Sequence, residues 1–164
     1  MKLLMERRKI LIMIMMLYSI SSTRNKMLFE NKSRCNKNAN EIVRSENKKS
    51  YRAFNRQRHI VYLYLIDGDI ISSSDSCNRC DYLLEDETKQ RAYFIELKGS
   101  QLLHALDQID STIVQFRSIL GDYAVFPRIV YHGNTHDIHS SAFRKFKAKY
   151  PNTRTKTDYM EEAL

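Results

Sequence analysis

Cys80-Asp81-Tyr82-Leu83-Leu84 and Tyr93-Phe94-Ile95-Glu96-Leu97-Lys98-Gly99 are the two stretches on which the fold turns. From Ala92 to Lys98, the two-residue period of a strand sets Phe94, Glu96 and Lys98 on one face. Tyr93, Ile95 and Leu97 take the other, and Gly99 ends the strand. Asp86 to Gln90 is a turn, so Cys80–Glu85 and Arg91–Lys98 are hairpin partners. A charge in an apolar strand is costly to bury unless something pairs with it. Two carboxylates and an ammonium gathered at a sheet end are compensated by a divalent metal and a phosphate. The string Glu-x-Lys itself occurs four times, at Glu30, Glu46, Glu87 and Glu96. Only the last copy lies in an alternating apolar stretch, so the setting carries the information.

Upstream, Ile60 to Ile66 is β-branched and aromatic and predicts a strand. Asp67-Gly68 signals a tight turn, after which Asp69-Ile70-Ile71 starts a return strand. Ala39 to Arg44 reads as a short helix capped by Asn38 or Asn40. Downstream of Gly99 the period changes. Leu102, Ala105, Leu106, Ile109, Ile113, Phe116 and Leu120 recur at three- and four-residue steps, marking an amphipathic helix with Ser100 and Gly121 as caps. Pro127 heads a strand over Arg128–Tyr131, and Ala142–Tyr150 is a basic helix stopped by Pro151. The tail from Asn152 adds a short edge strand and then frays. The order predicts an α/β protein, a mixed sheet flanked by helices.

The 164 residues suit one domain with a modest core, and 43% hydrophobic with 28% charged residues is an ordinary globular composition. The charge is uneven. Lysine and arginine outnumber acids by 15 to 4 in residues 1–60, but stand at 12 to 15 in residues 61–164. A basic N-terminal third suits a phosphate backbone or an anionic surface. Lys48, Lys49, Arg52 and Arg56, interleaved with Tyr51 and Phe54, are the candidate nucleic-acid contacts. The same two rings equally suit packing against the body.

Three cysteines give no even disulfide set, which points to a reducing, cytoplasmic compartment. Cys77 and Cys80 have zinc-type spacing without two further ligands, and His132, His136 and His139 fit no metal spacing. Glu6-Arg7-Arg8-Lys9 precedes eight apolar residues, Ile10 to Leu17. A bilayer takes about 20, so no stable membrane insertion is expected. The charge-then-apolar order is also that of a secretory signal, but the cleavage site is poor. Residues 1–26 read instead as a dispensable extension, with residues 27–164 as a single domain.

This order of elements, with Asp81 and Glu96-Leu97-Lys98, resembles the PD-(D/E)xK nuclease superfamily, whose restriction-endonuclease-like core is α-β-β-β-α-β. The resemblance spans roughly residues 40–132, with fourteen residues between Asp81 and Glu96 and an amphipathic helix directly after Gly99. Cys80 stands where the name pattern has proline. The resemblance implies a Mg²⁺- or Mn²⁺-dependent DNA endonuclease of defence, repair or mobile-element housekeeping, with RNA not excluded as substrate and a homodimer as a common arrangement. Asp81, Glu96 and Lys98 match the family's catalytic set. Gln108 matches the glutamine that RecB-type members carry on the following helix, with Thr112 where they have tyrosine. Glu41 or Glu46 matches a glutamate that some members carry on the first helix.

Residue chemistry agrees with these implications. Mg²⁺ prefers carboxylate oxygens and retained waters. Asp81 and Glu96 would hold it, with the Leu97 carbonyl as a third ligand. A bound divalent ion acidifies water, and Lys98 would position that water or neutralise charge developing around phosphorus. Asp69 and Asp75 are better explained as turn caps. Two other roles fit the same residues. One is a nuclease-like module that binds nucleic acid or protein without cutting. The other is a Glu96–Lys98 charged pair on a solvated sheet face that protects an edge strand.

Overall fold

The computed structural model describes residues 29–72, 74–98, 101–132 and 135–164. The extension expected over residues 1–26 and the Ser100 cap lie outside them. Five strands form the main sheet: Val61–Leu65 (β3), Tyr82–Asp86 (β4), Arg91–Lys98 (β5), Ala124–Tyr131 (β6) and Arg154–Thr157 (β7), in that spatial order. β3–β4 and β4–β5 are antiparallel, while β5–β6 and β6–β7 are parallel. A parallel neighbour needs a crossover. Helix Leu102–Leu120 (α1) supplies it between β5 and β6, and helix Ser141–Lys149 (α2) between β6 and β7. Gly121 closes α1 at φ 55°, a left-handed value that glycine adopts without a Cβ clash, and its amide donates to the Arg117 carbonyl.

A second, three-stranded sheet joins Glu41–Glu46 (β1), Lys49–Phe54 (β2) and Tyr159–Ala163 (β8). β1 and β2 are an antiparallel hairpin, whereas β2 and β8 run parallel. Strand alternation divides the interior in two. Ala92 and Phe94 of β5 pack with Leu102, Ala105, Ile109, Ile113 and Phe116 of α1. Tyr93, Ile95 and Leu97 pack instead with Ile42, Tyr51, Ala53 and Met160 of the small sheet. The molecule is thus layered as helices, main sheet and small sheet. Each buried large apolar side chain contributes about 1.5–3 kcal/mol relative to an exposed one. Across the second interior, Arg128 Nε and Nη2 donate to the two oxygens of Glu162, each at 2.7 Å, and Tyr51 Oη donates to Glu162 Oε1 at 2.7 Å.

The α/β class holds, as do the β4–β5 hairpin, α1 and α2, while β6 begins at Ala124 with Pro127 inside it, and the helices cover one face of the main sheet with the small sheet on the other. Three expectations are corrected. The helix expected over Ala39–Arg44 is strand β1, because Ile42 is buried against the second core and the chain turns back at once. Asn47 and Lys48 form that turn, both with positive φ, as a two-residue hairpin loop requires. Glu41 and Glu46 are therefore strand residues, and among the described residues no α-helix precedes β3. The return strand at Asp69–Ile71 is a single bridge from Asp67 to Ile71, since β4 takes one side of β3 and residues 34–37 bond the other, the Arg34 amide to the Leu63 carbonyl at 2.6 Å and the Val61 amide to the Lys37 carbonyl at 2.8 Å. The tail does not fray after β7. Met160 and Leu164 are buried, and the Leu164 amide donates to the Phe54 carbonyl at 3.0 Å. Among the described residues Gln101 stands at the start of α1 and makes no side-chain cap bond.

Candidate active site

Asp81 and Glu96 meet where the β4–β5 ladder stops. Their strands pair from Asp86 with Arg91 to Tyr82 with Ile95. One step further the register sets Asp81 opposite Glu96, and side chains take over from the backbone. The Leu97 amide donates to Asp81 Oδ2 at 2.7 Å, and the Asp81 amide donates to Glu96 Oε2 at 3.1 Å. The Asp81 carbonyl accepts from the Ile66 amide at 2.8 Å, so the segment stays attached to β3. Lys98, on the same face as Glu96, brings Nζ to 3.7 Å from Glu96 Oε1. Glu96 is 1% exposed and Lys98 24%, so Glu96 does not belong to a solvated pair.

Burial pushes the Glu96 carboxyl up to about 8, and repulsion from Asp81 adds to the rise while Lys98 opposes it. Burial also raises Asp81, to about 6; the Leu97 amide and Lys98 pull it down, and Glu46 and Asp67 push it up. Two opposed carboxylates that resist ionising are a place where a cation lowers the energy. The donor set suits a hard cation. Asp81 Oδ1 accepts no hydrogen bond among the described residues, and Glu96 Oε1 meets only the Lys98 ammonium. The N–H and C=O of one strand residue point to the same side, so the Leu97 carbonyl lies on the Asp81 side of β5. Among the described residues no three His, Cys, Asp or Glu side chains gather to hold a metal by themselves. A cation on Asp81, Glu96 and Leu97 would therefore keep several waters, as Mg²⁺ does.

A polar line on α1 holds the segment that delivers Asp81. Gln108 Nε2 donates to the Arg79 carbonyl at 2.9 Å, and Thr112 Oγ1 accepts from the Cys80 amide at 2.8 Å. One turn on, Gln115 Nε2 reaches the Asn78 carbonyl at 3.4 Å. Spacings of four and three residues keep these side chains on one flank of the helix. Gln108 makes no hydrogen bond to Asp81, Glu96 or Lys98 among the described residues, and its Oε1 is buried without a partner among them. Thr112 and Gln115 were not among the expected site residues. Their only sequence signal is a polar position recurring at four- and three-residue steps beside the apolar stripe of an amphipathic helix.

The expected basic contacts separate. Lys48 is exposed at the tip of the β1–β2 hairpin, next to Glu46, whose charge reaches Asp81. Lys49 is buried, with Nζ donating to the Asn47 carbonyl at 2.9 Å. Arg52 lies on the outer face of the small sheet, 3.1 Å from Glu41 and 3.9 Å from Glu161. Arg52 and Arg56 flank the Phe54 ring at 5.9 and 5.7 Å. Glu41 is thus engaged away from the carboxylates, and of the two glutamates only Glu46 acts on Asp81. Asp69 pairs with Arg34, and the Asp75 carbonyl accepts from Arg79. Cys35, Cys77 and Cys80 are free thiols. Among the described residues no helix is long and apolar enough to cross a membrane. Comparison with protein-family models, with curated proteins and with solved structures finds no match for this chain.

Proposed function

We propose that this protein is a metal-dependent nuclease of the PD-(D/E)xK type, cutting phosphodiester bonds in DNA. The observation that carries the proposal is the pairing of buried Glu96 with half-buried Asp81 across the diverging β4–β5 hairpin, with Lys98 on the Glu96 face. The run β3–β4–β5–α1–β6, with its antiparallel, antiparallel and parallel pairings, supports the same reading. Asp81, Glu96 and the Leu97 carbonyl would bind Mg²⁺ or Mn²⁺. When bound, such an ion supplies positive charge that acidifies water and stabilises phosphoryl oxygens. Lys98 donates to a nonbridging phosphate oxygen as charge develops there. Gln108 and Thr112 keep Asp81 in register with Glu96 by fixing residues 79 and 80. In the reaction, a water oxygen bonds to phosphorus, the opposite P–O ester bond breaks, and the leaving oxygen takes up a proton.

The test is cleavage of linear, nicked, branched and single-stranded DNA, and of RNA. Cutting is expected with Mg²⁺ or Mn²⁺ and none in EDTA, while Ca²⁺ supports binding. Asp81→Ala and Glu96→Ala each abolish cutting and leave the metal-independent part of DNA binding largely intact. Lys98→Ala lowers turnover by about 10²-fold or more, the scale of one electrostatic donor. Cutting that survives all three substitutions refutes this site. A folded protein that cuts none of these substrates is instead a nuclease-like binding module.

A further inference from the structure

We infer that His132, held by Asp158, is a second phosphate-binding group for the nucleic-acid strand, acting on a phosphodiester next to the one at Asp81 and Glu96. The identity of the ligand rests on the nuclease proposal; the geometry of the group does not. Lys98 and Tyr131 are direct neighbours at the carboxyl ends of the parallel strands β5 and β6. His132 is the next residue. In parallel α/β sheets, ligands gather outside the carboxyl ends of the strands. Strand geometry, about 3.3 Å per residue and about 4.8 Å between strands, puts the His132 backbone about 11 Å from that of Glu96. Neighbouring phosphates of one strand can bridge that distance.

The imidazole is oriented without being buried. Its Nδ1 lies 2.6 Å from Asp158 Oδ1, yet the side chain is 73% exposed, and Nε2 has no partner among the described residues. An imidazole with one nitrogen fixed by a carboxylate presents the other in a set direction, as donors in binding sites are presented.

The carboxylate is not needed to make its turn. The Asp158 amide donates to the Tyr131 carbonyl at 3.0 Å, and the Asp158 carbonyl accepts from the Ser50 amide at 2.9 Å. Those bonds already join β6, the β7–β8 turn and β2. Asp158 also sits at φ 58°, a value at which glycine costs less than any residue with a Cβ. At this position aspartate supplies what glycine lacks, a side-chain acceptor for His132. Lys48, exposed in the β1–β2 turn, immediately precedes the strand that carries Ser50 and lies at the same end of the small sheet.

The experiment measures affinity of the full chain for a 12-base-pair DNA duplex in Ca²⁺, with thermal midpoints for each variant and cleavage in Mg²⁺ for the wild type. His132→Ala should weaken binding about tenfold, the size of one charge-assisted hydrogen bond. His132→Lys, which supplies a cationic donor at the same place, should recover most of the loss. Asp158→Gly should weaken binding at least threefold with an unchanged or higher midpoint, which a purely structural role would not produce. Wild-type binding that depends on His132 without any cleavage supports the phosphate group and sinks the nuclease proposal. Unchanged affinity in His132→Ala, or no binding by the wild type, overturns the inference whether or not cleavage occurs.

Discussion

Replacing Glu96 by glutamine removes the charge that burial penalises most at the candidate site. The Glu96 carboxyl titrates at about 8 in the fold against an ordinary 4.5, and one pK unit is worth about 1.4 kcal/mol. The gap sets an upper bound on the order of 5 kcal/mol for carrying the ionised group without a cation. Part of it is repulsion from Asp81 and belongs to the pair, so the expected effect is about 2 kcal/mol. The sign follows from proton counts. Below 4.5 both folded and unfolded chains hold the proton, and the stabilisation from keeping it is complete. Between 4.5 and about 8 only the folded chain holds it, so stability falls as pH rises. Above about 8 the contribution is gone. In EDTA, Glu96→Gln should therefore match the wild type near pH 5 and exceed it by about 2 kcal/mol near pH 8.5. Urea unfolding followed by far-ultraviolet circular dichroism across that range measures the difference. Millimolar Mg²⁺ should raise the wild-type midpoint at pH 8.5 and leave the variant unmoved, because a ligand stabilises only the state that binds it. A variant less stable than the wild type at pH 8.5, or a difference that does not grow with pH, would refute burial as the origin of the raised carboxyl.

Thr112→Val keeps the shape of α1 and strips the acceptor from the buried Cys80 amide, which should cost about 1–3 kcal/mol by urea unfolding. It should also lower the cleavage rate more than DNA affinity, since Asp81 is loosened and the binding rim is untouched; equal losses in both would refute the holding role. Lys48→Ala should reduce the slope of log affinity against log salt by about 0.9, the value of one duplex phosphate contact. Arg52→Ala should change the slope less, because Arg52 already faces Glu41 and Glu161; the reverse ranking would place the nucleic acid on the outer face of the small sheet.

The centre of the molecule was legible because its sequence periods are locally decided. Alternation in β5 fixes which side chains share a face, and the three- and four-residue steps of α1 fix its buried side. Asp81 and Glu96 could be singled out because each interrupts an apolar strand. The small sheet was not legible. β1 is preceded by Asn38 and Asn40, which resemble helix caps, and β8 reads Tyr-Met-Glu-Glu-Ala, a sequence with no strand preference of its own. Their conformation is decided by partners far along the chain, Tyr51 beside Met160 and Arg128 against Glu162. The clamp from Gln108 and Thr112 was half visible. Composition showed polar residues on α1, but only the packing of α1 against residues 78–80 gives them a task.

The parallel pairing of β2 with β8 also has a consequence for how the chain reaches its native state. Residues 50–54 cannot complete their sheet until residues 159–163 arrive, whereas the β4–β5 hairpin and α1 are assembled from neighbours. Closing so long a loop is slow compared with local pairing. Until it closes, Arg128 on β6 lacks the carboxylate that neutralises it in the interior. The two carboxylates of the site can thus be juxtaposed early in folding, while the layer beneath them, and the turn that carries Asp158, are consolidated last.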